Sequence, residues 1–263
     1  MINNFDIIRE HLTFEKATKF DAETKKVKTI NDTYDRYIIH IIKRAKDSNG
    51  KDFGSNESNR LIKTYEISSL EYFDAKKSHI IDLCESNGAR AYILPQVRSV
   101  PDCLKEMMKI IIDNLENPTI KMQHLFRSAT CAMHKSRAKR WILDLDKDNM
   151  IEYKTIRPDM VLQKKWTPAQ VLTLVRGLIE KCGHNPENAY IVKTPNGSTL
   201  ITPPFDLMAA NKLCSMIYNG QKSFVTGIKW TGPGEYDQIS SKKNGWLIKD
   251  GMALLYYSGE KNT

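Results

Sequence analysis

The chain has 263 residues, 41% of them hydrophobic, and its 40 Lys and Arg outnumber its 31 Asp and Glu to give a net charge of +9. This length and apolar fraction are enough for one large domain or two lobes around a real core. The positive charge favours an anionic partner, and nucleic acid is the commonest one. Because the chain has no long run of Lys and Arg, the alternative is that the charge serves solubility alone.

The cysteines and histidines argue against disulfides and against a zinc site. The cysteines, at positions 84, 103, 131, 182 and 214, are widely spaced, odd in number and without a CxxC pair, which indicates buried thiols in a reducing compartment. The six histidines form no HxxxH or HxH cluster. The sequence shows neither a signal peptide nor an apolar run of about 18 residues. We therefore expect a soluble, cytoplasmic protein with no membrane partner.

The first third of the chain predicts a hairpin followed by a capped helix. Strands at residues 37–43 and 60–67 flank a polar segment, 47–59, that is typical of a hairpin loop. Ser69 is predicted to cap a helix over residues 70–84, which stops at Gly88.

Further elements are predicted from residue 89 to the middle of the chain. A strand at 89–94 precedes helices at 102–115 and 122–134. A basic stretch follows the second helix and contains Lys135, Arg137, Lys139 and Arg140. We expect an N-terminal lobe over residues 1–135 and a second lobe over 136–263, packed as one compact unit.

The second half of the chain predicts a strand, a helix and a hairpin. Thr167, Pro168 and Gln170 form a strong helix start, and this helix runs to Cys182. Strands at 190–193 and 199–202 flank a tight turn at 195–198. A helix at 207–218 follows, and residues 245–257 have the pattern of a strand, a turn and a second strand. The fold class is therefore mixed α and β.

The most informative motif is the apolar run 141–143, which leads into Asp144 and Asp146 with one residue between them. Such a run ending in acids predicts a buried strand that stops at a polar edge. Residues at i and i+2 of a strand lie on the same face, so the two carboxylates repel each other unless a cation lies between them. Mg²⁺ or Mn²⁺ with oxygen ligands is the expected occupant. The alternative is a strand that ends in a solvated acidic turn.

Two later segments bear on this acidic pair. Lys193 and the turn through Gly197 place a cation, hydroxyls and backbone amides together, a combination that suits a phosphate. Residues 247–250 repeat the pattern of an apolar strand ending in an acid, here Asp250, which we expect to converge with Asp144 and Asp146. The alternatives are an ordinary Asn-Gly hairpin turn and a plain Asp-Gly turn.

The order of these motifs resembles the archaeo-eukaryotic primase superfamily, and most closely the small primase-like proteins of large bacterial viruses. That family has a hydrophobic-DxD motif, a second motif of small polar residues and Gly ending in His, and a hydrophobic-Asp motif. The resemblance covers residues from about 35 to 257. It rests on short segments of this sequence: 89–93 with 98–99, 144–146, 194–197, 201–205, 249–250 and 254–257.

The resemblance implies a role in DNA replication through metal-dependent nucleotidyl transfer. It also implies that the C-terminal lobe is an antiparallel, RRM-like sheet with helices on one face. Asp144, Asp146 and Asp250 would bind Mg²⁺ or Mn²⁺ and carry catalysis. Lys193, Ser198 and Thr199 would contact a nucleoside triphosphate.

The expected nucleic-acid contacts are two basic residues around the strand at 89–94 and three in the basic stretch that precedes Asp144. They are Arg90, Arg98, Arg137, Lys139 and Arg140. The alternative is that these cations form solvated faces or a helix end.

One residue departs from the family's pattern. The His of the second motif, which contacts the triphosphate in the family, falls at Thr199, or at Ser198 with a shift of one residue. A hydroxyl carries no charge, so we expect weak or lost activity. Two alternatives stay open: a non-catalytic nucleic-acid-binding or replication-accessory protein, and a phosphatase similar to the haloacid dehalogenases, which also use a DxD strand but place it early, in a parallel sheet.

Overall fold

The computed structural model describes residues 1–15, 18–21, 26–29, 34–47, 53, 57–116, 125, 129, 139–146, 167–206, 229–230, 247–249 and 251–259. For residues 18–21, 26–29, 146, 170, 229–230 and 247–249 the description is confined to the backbone. The described helices are α1 (Phe5–Arg9), α2 (Leu70–Asn87), α3 (Val100–Asp113) and α4 (Pro168–Lys181). None of them is long and apolar enough to cross a membrane.

The described part of the chain contains thirteen strands, numbered in chain order. They are β1 (Ile2–Asn3), β2 (Thr18–Asp21), β3 (Lys26–Thr29), β4 (Asp35–Arg44), β5 (Asn59–Ile67), β6 (Arg90–Ile93), β7 (Arg98–Ser99), β8 (Trp141–Asp146), β9 (Tyr190–Thr194), β10 (Gly197–Thr202), β11 (Lys229–Trp230), β12 (Leu247–Lys249) and β13 (Ala253–Tyr257). The predicted mixture of α and β structure is confirmed, and the strand pairs around β4 and β8 are antiparallel.

The chain divides into two compact units. One contains residues 3–139 and 254–263, and the other contains residues 140–253. The sheet of the first unit has the strand order β1-β13-β6-β4-β5, and β7 pairs with the start of β4. From residue 37 to residue 42 every side chain of β4 is buried, as expected for a strand covered on both faces.

Helix α2 forms where the sequence provides both of its ends. The Ser69 side chain accepts a hydrogen bond from the Tyr72 backbone N–H at 3.1 Å, and Gly88 closes the helix with a left-handed φ of 57°. The helix buries Phe73, Ile80 and Cys84. This cap-to-glycine helix is confirmed, and it extends three residues further than the predicted end at residue 84.

Strand β13 does not form a hairpin with β12. It lies between β1 and β6 in the sheet of the first unit, whereas β12 belongs to the other sheet. All five residues of β13 are buried, so the strand needs cover on both faces, which an edge hairpin would not provide. Asn4 fixes this position: its side-chain amide donates to the Leu254 carbonyl at 2.9 Å.

The second unit contains a five-stranded sheet of order β11-β12-β8-β10-β9. Helix α4 covers one face, where Leu143, Leu145 and Leu200 share a core with Val171 and Val175. Because side chains alternate along a strand, the even-numbered residues of β8 lie on the other face. The acidic pair is therefore on the face opposite α4.

Candidate functional site

The candidate site is built on β8, the middle strand of the five. Asp144 is half-buried, and the backbone of Asp146 lies two residues further along the same face. The side chain of Asp146 is outside the described part of the chain. A carboxylate on a central strand has neighbours on both sides, so the residues opposite it in the adjacent strands define its surroundings.

Thr199 is the residue directly opposite Asp144 on β10. Opposite residues of an antiparallel pair lie on the same face, with Cβ atoms about 4.5–5.5 Å apart. Thr199 is buried, and the next residue across the sheet, on β9, is Val192. The structure therefore places Thr199, one of the residues predicted to contact a triphosphate, directly across from the first aspartate of the pair.

Gly197 and Thr194 are the residues that follow Asp146 across the sheet. Gly197 is opposite Asp146 on β10, and Thr194 is opposite Gly197 on β9. The hairpin turn consists of residues 195–196, so Gly197 begins the strand and does not lie within the turn. It contributes no side chain between Asp146 and Thr194. Thr194 is a second hydroxyl residue on this face, although it is not among the three residues predicted to contact the triphosphate.

Lys193 and Ser198 lie on the other face of the sheet. They are opposite each other, and Ser198 is opposite Leu145, whose side chain belongs to the core beneath α4. Side chains one residue apart on a strand lie on opposite faces of the sheet. The register therefore separates Lys193 and Ser198 from Asp144 and Thr199, and the expected triphosphate trio does not form on one face.

Asp250, the third expected carboxylate, lies outside the described residues. The described strand before it, β12, runs antiparallel to β8 with Leu247 opposite Asp144 and Lys249 opposite Ile142. The last described residue of β12 is therefore level with Ile142 and not with the acidic pair.

Arg90 has a buried partner in the first unit. Its guanidinium donates to the Asp47 carboxylate, with Nε 2.7 Å from Oδ2, and both side chains are 8% exposed. The guanidinium also lies 4.2 Å from the centroid of the Tyr257 ring. Burial by itself lowers the pKa of Arg90, but the hydrogen bond to Asp47, together with the electrostatic effects of Tyr92, Asp47 and Tyr257, outweighs it and raises that pKa. This environment favours a structural role. Asp47 was missed because an acid in a polar loop gives no sign of burial.

The other predicted cations differ in their accessibility. Arg98 is 4% exposed, and its backbone is opposite Arg36 in the β4–β7 pair. Lys139 is exposed, and Arg140 donates to the Asn188 carbonyl at 3.3 Å. Arg137 lies outside the described residues. Of this set, the described residues whose side chains are not buried are thus Lys139 and Arg140, which directly precede β8.

The described side chains only partly fit a divalent metal ion. Carboxylate and hydroxyl oxygens are the ligands that Mg²⁺ and Mn²⁺ prefer, and Asp144 and Thr199 supply one of each. Within the described residues no group of three Asp, Glu, His or Cys side chains is close enough to hold a metal. Asp146 is the residue whose position on β8 suits a second carboxylate ligand.

Comparison with known proteins adds no relative. No protein-family model, curated protein or solved structure matches the chain. The geometry and charge of the chain therefore carry the functional argument.

Proposed function

We propose that the chain is a nucleic-acid-binding protein whose second unit carries a primase-like nucleotide site of weak or lost activity. The observation that carries this proposal is the row formed by Asp144 and Thr199. Asp144 lies on β8, the middle strand of the sheet, and Thr199 lies opposite it on the antiparallel strand β10. Both residues are on the face that α4 does not cover. The net charge of +9 supports an anionic partner.

In this proposal Asp144 and Asp146 hold Mg²⁺ or Mn²⁺. When bound, such an ion neutralises charge on a triphosphate and makes an attacking hydroxyl easier to deprotonate. The Thr199 hydroxyl donates a hydrogen bond to a triphosphate oxygen. Lys139 and Arg140, at the start of β8, contact the phosphate backbone of the nucleic acid.

Weak activity follows from two features of the hairpin. Thr199 provides a neutral hydrogen bond where the family has a His, and a neutral hydrogen bond is roughly half as strong as a charge-assisted one. Lys193 cannot compensate, because the register places it on the other face of the sheet. The same features support the non-catalytic alternative, in which the chain binds nucleic acid without nucleotidyl transfer.

The phosphatase alternative fits the sheet poorly. Haloacid-dehalogenase-like enzymes place their DxD motif on a parallel sheet, whereas β8 is antiparallel to both of its neighbours, β10 and β12. We do not propose that activity.

Binding of labelled single-stranded DNA and RNA, measured by fluorescence anisotropy, tests the proposed partner. Affinity should fall steeply between about 50 and 200 mM salt, because bound phosphates release counterions. Binding should survive Asp144→Ala, since that change removes a negative charge. The absence of binding at low salt would contradict both the enzyme and the accessory-protein readings.

Incorporation of a labelled nucleotide on a primed template tests the proposed site. We expect weak or no incorporation by the wild type and a gain in Thr199→His, of about 1–2 kcal/mol in nucleotide binding. Any incorporation should be abolished in Asp144→Asn. Robust synthesis by the wild type would show that the site tolerates a hydroxyl at residue 199.

A further inference from the structure

A surface of β5 and α2 in the first unit combines lysines with aromatic rings. We call it the Tyr72 patch, and it consists of Lys63, Tyr65, Tyr72, Lys76 and His79. Lys63 and Tyr65 are two residues apart on β5 and share a face. Tyr72, Lys76 and His79 follow one another at spacings of four and three on α2, so they form one stripe of the helix.

Within the patch each lysine contacts a tyrosine ring, and two of the rings contact each other. The Lys63 Nζ atom lies 5.1 Å from the centroid of the Tyr65 ring, and the Lys76 Nζ atom lies 5.1 Å from that of Tyr72. The rings of Tyr65 and His79 meet edge to face, with centroids 6.1 Å apart. Burial raises the pKa of Tyr65, and the neighbouring Tyr72 adds to this effect. The strand half and the helix half of the patch therefore touch.

Exposure divides the patch into a floor and an accessible layer. Tyr65 is 5% exposed, whereas Tyr72 is 38% exposed, and Lys63 and His79 are also exposed. Neither Lys63 nor Lys76 makes an ion pair with a carboxylate in the described part of the chain. The ammonium groups are held by rings, which bind a cation weakly at an exposed site.

We propose that the Tyr72 patch is a contact surface for single-stranded nucleic acid. A base stacks on Tyr72 after Lys76 moves off the ring, and Lys63 and Lys76 neutralise the adjoining phosphates. Single-stranded nucleic acid is bound by cations that meet its phosphates and by aromatic rings on which its bases stack, and the patch places two lysines beside the exposed ring of Tyr72. An acidic peptide would use the two ammonium groups but would leave the Tyr72 ring without a partner. This inference rests on the proposed nucleic-acid function and adds a site in the first unit.

The test uses the full chain and labelled oligothymidylate in an anisotropy titration. Tyr72→Ala should weaken binding about 5- to 150-fold, the range for the loss of one stacked base, and Tyr72→Phe should retain wild-type affinity. Lys63→Ala and Lys76→Ala should each reduce the slope of log affinity against log salt by about 0.7. An abasic oligomer of equal length should bind the wild type and Tyr72→Ala equally.

Two control variants alter comparable residues outside the patch. Tyr34→Ala removes a tyrosine that is 48% exposed, and Lys105→Ala removes a lysine whose side chain is 78% exposed. Both should bind like the wild type. The Tyr72 side chain is not needed for the helix cap, since Ser69 contacts the backbone of that residue. Circular dichroism should therefore show the same helix content in Tyr72→Ala.

The outcomes separate this inference from the proposed function. If the wild type binds and the patch variants bind as tightly as Tyr34→Ala and Lys105→Ala, the patch is refuted while the proposed function stands. If the wild type binds no nucleic acid at low salt, both are refuted. If polyglutamate competes as well as oligothymidylate at equal charge, the patch recognises charge alone and the stacking inference is wrong.

Discussion

Replacement of Arg90 by Met should destabilise the protein severely while leaving nucleic-acid binding intact. The change keeps much of the apolar stem but removes the partner of Asp47, whose side chain is 8% exposed. Removing one member of a buried ion pair typically costs about 3–5 kcal/mol, because the other charge stays buried and unpaired. The lost contact with the Tyr257 ring, 4.2 Å from the guanidinium, is part of that loss. Total stabilities are about 5–15 kcal/mol, so the effect is large.

Urea denaturation followed by circular dichroism measures this loss. Adding Asp47→Asn to Arg90→Met should recover part of the stability, since it removes the unpaired charge. The matched control is Arg9→Met, because Arg9 Nε lies 2.7 Å from Asp74 Oδ1 in a pair whose side chains are 43% and 44% exposed. Exposed ion pairs contribute little to stability because solvent screens them, so this control should be nearly neutral.

One pair of results would contradict a structural role for Arg90. If the free energy of unfolding of Arg90→Met is within about 1 kcal/mol of the wild-type value, and the variant no longer binds single-stranded nucleic acid, Arg90 is a ligand-binding residue. The structural interpretation of its contact with Asp47 would then be wrong.

Two further predictions follow from buried groups of the first unit. Burial raises the pKa of the Cys84 thiol to about 12, so this thiol stays protonated at pH 8. Iodoacetamide should therefore label the exposed Cys182 far faster than Cys84. Equal labelling rates of the two cysteines, measured by mass spectrometry, would contradict this prediction. The buried Tyr65 hydroxyl has no hydrogen-bond partner in the described part of the chain. Tyr65→Phe should therefore leave the free energy of unfolding unchanged or raise it by about 1 kcal/mol. A loss of more than about 1 kcal/mol would reveal a partner for that hydroxyl.

Elements with local signals could be predicted from the sequence. The Ser69 cap and Gly88 define α2, and the two apolar runs on either side of a polar loop define the β4–β5 hairpin. These features depend on residues that are close in the chain, so a single sequence contains the necessary information. The position of Asp144 on a strand follows in the same way from its apolar neighbours.

Non-local pairing could not be predicted in this way. Strand β13 joins a sheet whose other strands lie within residues 2–99. No local sequence pattern indicates that β13 pairs with them. The face of Lys193 depends on the register of the hairpin, where one residue decides the side. The same holds for Arg90, because its partner Asp47 is 43 residues away.

Binding of Mn²⁺ tests the central claim about Asp144 most directly. Electron paramagnetic resonance of free Mn²⁺, titrated with the full chain, reports metal binding without requiring activity. The wild type should bind Mn²⁺. Asp144→Asn should bind it at least about tenfold more weakly, because a charged ligand is lost. The control Asp82→Asn, a change on α2 in the first unit, should bind Mn²⁺ like the wild type. Equal Mn²⁺ affinity in the wild type and Asp144→Asn would show that the acidic pair on β8 is not a metal site.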